Sequence, residues 1–215
     1  MKNQLDKLND FYILNDVISP MVQDLIESYM LGDDVYWESI PDITYDLKTI
    51  KRRKITELTP AARCEFVVRG KLIAGAFEGG RVIHPSILNC TQTILESACL
   101  SVGLEPKKIL QARSFKSFPP SKKSKREHNT PHVDLKQPHF VCLYYVNDSD
   151  GDTVFFDKTS ADITTNEEYT QAIFGPICRV APKKGRAIIF NGNRYHSSSS
   201  PSENVRCIIN FDFAV

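Results

Sequence analysis

The sequence predicts a mainly β protein, a sandwich or barrel buttressed by helices on one face. Three observations predict it. Two amphipathic helical patterns fall in the first half of the chain, and short apolar segments separated by Gly, Pro, Asn and Asp turns dominate beyond Pro106. Composition agrees with a folded domain: 41% of the 215 residues are hydrophobic and 25% are charged.

In chain order, Phe11 to Leu14 reads as a short strand. Ser19 and Pro20 then supply an N-cap and a first-turn proline for a helix carrying Val22, Leu25, Ile26, Tyr29 and Met30, which Gly32 ends. Residues 33–60 have poor periodicity and hold one dense basic cluster, Lys51-Arg52-Arg53-Lys54, which reads as a solvated hairpin or a flap facing a substrate. A strand follows over Glu65 to Arg69. The glycines Gly70, Gly75, Gly79 and Gly80 lack dinucleotide-binding spacing and read as a turn. Pro85 to Val102 repeats its apolar positions with the helical period, and Gly103 suits the C-terminal cap.

The strands expected in the second half are Ile109 to Phe115, Phe140 to Val146, Thr153 to Phe156, Ile177 to Ala181, Ala187 to Phe190, Tyr195 to Ser198 and Val205 to Phe213. Ser117 to Thr130, rich in proline and basic residues around 122–126, reads as a long polar loop. We expect one domain, with residues 1–105 forming helical support and a flap region and residues 106–215 the β core.

Net charge is +1, so no global field draws the protein to nucleic acid or to a membrane. No apolar run approaches the roughly 20 residues of a spanning helix, and the polar start has no signal-peptide core, so a cytoplasmic location is expected. Six cysteines, Cys64, Cys90, Cys99, Cys142, Cys178 and Cys207, stand singly among apolar neighbours and read as small core residues in a reducing compartment.

Candidate chemistry centres on His132-Val133-Asp134. In extended backbone, side chains separated by one residue share a face, so this imidazole and carboxylate can converge on one point. His196 opens a later Ser-rich strand and Arg206 lies in the next one. Two histidines and one carboxylate make the facial triad of a non-haem Fe(II) oxygenase, with open positions left for cosubstrate and O2. Arg206 is the cation that could take the far end of a dicarboxylate. In the last strand Arg206, Ile208, Asn210 and Asp212 share a face that reads as site, whereas Cys207, Ile209, Phe211 and Phe213 share one that reads as core. His84, His128 and His139 receive no ligand role. Arg113 alternates with Gln111 and Phe115 and reads as a surface residue.

The ordered set His132-Val-Asp134, Leu143-Tyr144-Tyr145-Val146-Asn147, Gly151-Asp152-Thr153-Val154-Phe155-Phe156, Pro182 to Phe190, His196 and Arg206 resembles the Fe(II)/2-oxoglutarate-dependent dioxygenase superfamily, prolyl 4-hydroxylase-like branch, including small bacterial and phage-type oxygenases. The resemblance covers residues 106–215 firmly and the amino-terminal strand and helix loosely. It implies a double-stranded β-helix (jelly-roll) core, iron held by His132, Asp134 and His196, and the 2-oxoglutarate C5 carboxylate held by Arg206. It also implies that Tyr145 contacts that carboxylate and that Leu143 and Asn210 line the cosubstrate pocket.

The activity implied is hydroxylation of a C–H bond, of a prolyl or other residue in a protein or peptide, or of a small molecule. Fe(II), 2-oxoglutarate and O2 would be consumed or used, succinate and CO2 released, and ascorbate is a candidate reductant. Three departures narrow this. Collagen-type prolyl hydroxylases carry lysine where this chain has Arg206; nucleic-acid demethylases usually carry a second arginine where it has Asp212; halogenating members lose the carboxylate that Asp134 provides. Two alternatives stand beside the oxygenase: a redox-inactive metal- and 2-oxoglutarate-binding jelly roll, and a nucleic-acid-associated protein acting through the basic runs at 51–54 and 122–126.

Overall fold

Alternation of side chains in the second half produces strands whose two faces meet different partners, and the architecture follows from that. The computed structural model describes residues 6–8, 11–44, 47–53, 58–68, 72–73, 76–77, 80–120 and 127–215. In chain order the elements are β1 (Asp6–Leu8), β2 (Phe11–Leu14), α1 (Pro20–Leu31), β3 (Glu38–Ile40), α2 (Leu47–Arg53), β4 (Ala61–Val68), β5 (Leu72–Ile73), β6 (Ala76–Phe77), β7 (Arg81–Val82), α3 (Pro85–Ser101) and β8 (Lys108–Ser117). They continue with β9 (Phe140–Tyr145), β10 (Thr153–Thr159), α4 (Asn166–Gln171), β11 (Pro176–Val180), β12 (Ala187–Asn191), β13 (Arg194–Ser198) and β14 (Arg206–Ala214).

A nine-stranded antiparallel sheet runs β1-β2-β12-β9-β14-β8-β4-β3, with β7 also paired to β4. A three-stranded sheet, β11-β10-β13, lies against its inner face. Between the two sheets sits an apolar cluster of Phe11, Val141, Leu143, Tyr145, Phe155, Val180, Ile188, Phe190 and Ile208. The outer face of the large sheet carries Cys142, Tyr144, Ile189, Cys207, Ile209, Phe211 and Phe213, which pack against Ile26 and Met30 of α1 and Ile94, Leu95 and Ala98 of α3. Large-sheet strands buried on both faces explain why β9, β12 and β14 read as near-continuous apolar runs. This is the mainly β jelly-roll core with two buttressing helices that the sequence predicts.

Several local expectations need revision. Leu25 is 64% exposed on the outer face of α1. Cys90 is exposed on α3, whereas Cys64, Cys99, Cys142 and Cys207 are buried. The basic run at 51–53 lies in α2, and β4 begins four residues before the expected strand. Lys54, the expected strand end at Arg69, the glycines at 70, 75 and 79 and the basic run at 122–126 lie outside the described residues. α4, unforeseen, is closed by a capping box in which the Thr165 hydroxyl accepts from the Glu168 backbone N–H and the Glu168 carboxylate accepts from the Thr165 N–H. Gly103 takes the left-handed conformation (φ 72°) that the end of α3 requires.

No helix of the described residues is long and apolar enough to cross a membrane.

Candidate metal and dicarboxylate site

Between the sheets opens a cavity of about 250 Å³, lined by His132, Asp134, His196, Arg206, Leu143 and Asn210 among others. All six therefore line one space. His132 and His196 are backbone partners in an isolated antiparallel bridge, exchanging N–H to C=O bonds of 2.9 and 3.0 Å. The bridge brings their rings to 4.7 Å between centroids.

Each ring is oriented through Nδ1, which donates to a carbonyl: that of Thr130 for His132 and that of Arg194 for His196, both at 3.1 Å. A proton fixed on Nδ1 leaves the Nε2 lone pair facing the cavity. His196 Nε2 stands 3.5 Å from Asp134 Oδ2, and His132 Nε2 3.9 Å from Asp134 Oδ1. One ligand atom from each of these residues lies within 4.8 Å of the others. Desolvation first, and the facing His196 second, push the His132 imidazole down to about 4. Burial alone would raise the Asp134 carboxyl, but the Arg113 guanidinium and then His196 hold it well below the usual carboxylate range. Two imidazole nitrogens and an ionised carboxylate brought within 4.8 Å of one another are a donor set that fits a divalent cation.

Arg206 fills the other end. Its side chain is 2% exposed; Nε donates to Gly151 O (2.6 Å) and Nη2 to Thr153 Oγ1 (2.9 Å). Both partners are neutral, and among the described residues no carboxylate lies within ion-pair distance. Burial lowers its pKa from the ordinary value. Gly151 is required there, since an added Cβ would meet Arg206 Cδ and Ser199 O at 2.9 Å.

The Tyr145 hydroxyl, expected on the same carboxylate as Arg206, lies 2.6 Å from Thr153 Oγ1 and 3.1 Å from Val180 O, fully buried. It reaches the cavity through Thr153. Tyr144 points to the opposite face, into the helix-side core.

Four residues escaped the sequence. Thr153 lies within Gly151 to Phe156, where nothing in the sequence distinguishes its hydroxyl. Arg113 is not a surface residue: its side chain is 13% exposed, and Nη2 donates to Asp134 Oδ1 at 2.8 Å and Asp212 Oδ2 at 3.3 Å. Its strand alternation was the available signal. Ile43 and Thr44 reach the cavity wall from the segment after β3, for which the sequence offers no pattern. That segment is tied down by Asp42, which accepts from the Thr44 and Thr59 N–H groups. The Thr59 hydroxyl donates to Asn129, whose side chain donates to Ser198 on β13.

No family model matches the sequence, and no curated protein matches it. Solved structures do match the fold. An oxidoreductase of the 2OG-Fe(II) oxygenase family from Burkholderia pseudomallei aligns with a TM-score of 0.63 at 11% identity, over 95% of this chain and 85% of that one. The non-haem α-ketoglutarate-dependent epimerase SnoN from nogalamycin biosynthesis aligns at 0.57 and 10% identity, over 95% and 78%. A Pseudomonas putida prolyl-4-hydroxylase aligns at 0.53 and 11% identity, over 96% and 93%. The chain therefore has the fold of the 2-oxoglutarate/Fe(II) oxygenases, with a His-Asp-His cluster in its central cavity.

Proposed function

We propose that this protein is an Fe(II)- and 2-oxoglutarate-dependent dioxygenase that hydroxylates a C–H bond of a prolyl or other residue in a protein or peptide. One observation carries the reading: a single cavity joins three metal donors to a buried guanidinium that makes no ion pair among the described residues. A buried cation of that kind is costly unless an anion completes it. A dicarboxylate that reaches from metal to Arg206 satisfies both ends at once.

In this reading His132, Asp134 and His196 hold the iron. Bound iron with 2-oxoglutarate supplies O2 activation coupled to release of succinate and CO2. The chain's own residues do the rest. Arg206 and Thr153 bind the distal carboxylate, with Tyr145 holding the Thr153 hydroxyl in place. Leu143, Ile208 and Phe115 form apolar walls that exclude water. Ile43 and Thr44 close the wall on the side of the flap. A single catalytic domain is supported by β2, β3 and β4, from the first half of the chain, lying in the same sheet as β8, β9 and β14. The prolyl assignment is supported by the Pseudomonas putida structure, while the fold of SnoN also serves an epimerase.

The test is an anaerobic titration of Fe(II)-loaded protein with 2-oxoglutarate, read by the visible metal-to-ligand charge-transfer band, followed by a peptide-library search for succinate-coupled hydroxylation. The band should form in wild type and vanish in His196→Ala. Iron binding without a band sinks the oxygenase reading and leaves a binding module.

A further inference from the structure

The dioxygenase reaction assigns no task to Arg113, yet Arg113, in the cavity wall, is bound to two carboxylates, Asp134 beside it in the wall and Asp212 buried behind it. Arg113 and Asn210 are cross-strand partners on β8 and β14, and Asp212 lies two residues beyond Asn210 on the same face. Arg113 Nη2 joins Asp134 Oδ1 to Asp212 Oδ2. Asn210 Nδ2 joins the remaining oxygens, Asp134 Oδ2 at 3.3 Å and Asp212 Oδ1 at 3.4 Å. The two carboxylates are thus bridged twice, in a closed ring of four side chains. Three members stand on regular strands of the large sheet. Asp134 alone sits outside any strand, in the segment after the His132 bridge.

We infer that Arg113, braced by Asp212, is a positioning residue that fixes the plane of the Asp134 carboxylate for the metal. The inference rests on the reading of His132, Asp134 and His196 as the metal site. A lone carboxylate on irregular backbone keeps its side-chain freedom, and each rotamer it samples weakens the ligand set. Clamping both oxygens from the sheet removes that freedom before the metal arrives. A mere counter-ion for buried Asp212 would need no contact with Asp134 and no second bridge through Asn210.

The experiment measures Mn(II) binding by electron paramagnetic resonance and the visible spectrum of the Co(II)-loaded protein, in wild type, His196→Ala, Arg113→Lys and the double variant Arg113→Met/Asp212→Leu. The double variant deletes one charge of each sign, so net charge is unchanged; Asp212 goes with its cation, and Asp134 keeps Asn210 as its contact from the sheet. We expect its Mn(II) affinity to fall roughly 10- to 100-fold, the range for removal of groups that orient metal ligands, with an altered Co(II) spectrum. Arg113→Lys keeps the charge but not the planar guanidinium whose Nη2 spans both carboxylates, and should shift the spectrum with a smaller loss of affinity. A double variant with the affinity and spectrum of wild type overturns the positioning role while the metal site stands, provided His196→Ala has lost the ion. Wild-type protein that binds neither ion overturns both.

Discussion

Two arginines are buried in the same cavity wall, on neighbouring antiparallel strands, and they are opposites. Arg113 lies between Asp134 and Asp212. Burial works against its charge, but the fields of Asp134 and Asp212 override it and raise its pKa. Arg206 has a carbonyl, a hydroxyl and the Tyr145 ring, 5.6 Å from its Cζ, and its pKa is lowered by burial. The first cation is complete within the fold. The second is incomplete until something negative enters, and that difference separates a residue that organises a site from one that receives a ligand.

The sharpest way to break the comparison is to delete each charge. Arg113→Met leaves Asp134 and Asp212 facing each other without a cation, which should cost about 3–5 kcal/mol and lower Tm by roughly 6–20 °C for a domain of this size. Calorimetry that finds Tm within 2 °C of wild type would mean the pair needs no cation. Arg206→Met removes a buried charge that is held in no ion pair among the described residues, so thermal stability should hold or rise. Its effect belongs to binding: the 2-oxoglutarate Kd should increase roughly 30- to 1,000-fold, the equivalent of about 2–4 kcal/mol, in an anaerobic calorimetric titration. A large loss of stability with intact binding would reverse the roles.

Gly151→Ala probes the same end more gently. The new methyl group crowds Arg206 Cδ and the Ser199 carbonyl, and should weaken 2-oxoglutarate binding roughly tenfold, about 1.4 kcal/mol, while Mn(II) affinity at the Asp134 end is unchanged. Equal losses at both ends would show that the cavity shifts as one body.

The smallest effect is on pH dependence. His132, held near 4, and His139, lowered chiefly by burial, are neutral in the fold over a range where unfolded imidazoles, near 6.5, take up protons. The unfolded chain therefore binds more protons below about pH 6.5, and stability of the metal-free protein should fall from pH 7.5 to pH 5. His132→Gln should flatten that slope, and Arg206→Met should leave it as it is. A slope that survives in His132→Gln assigns it elsewhere.

The legible parts of the molecule were those written in local pattern. Alternation in β14 separated the Arg206, Ile208, Asn210 face from the Cys207, Ile209, Phe211 face, and burial on both sides agrees. The His-x-Asp pair and His196 were legible as residue types. What brings them together, the bridge between residues 132 and 196, is a long-range pairing with no local signature. Arg113 resembles a surface residue in sequence for the same reason: its partners lie 21 and 99 positions away. The Thr165 to Glu168 capping box was written in the sequence, but α4 has no buried residues, so no apolar period announced it. Ile43 and Thr44 owe their places to Asp42 and Thr59, contacts that no periodicity encodes.

The backbone bridge between His132 and His196 also bears on which ion the protein would carry. Two donors set by main-chain hydrogen bonds, and a third clamped from the sheet, are in place before any ion arrives, so loading costs little ordering. Such a ready-made nitrogen and oxygen site ranks first-row ions by the general order that favours copper and zinc over iron and manganese. Occupancy would then follow the supply of metal in the cell or the growth medium, and protein purified without added iron should carry zinc and stand idle until that zinc is exchanged.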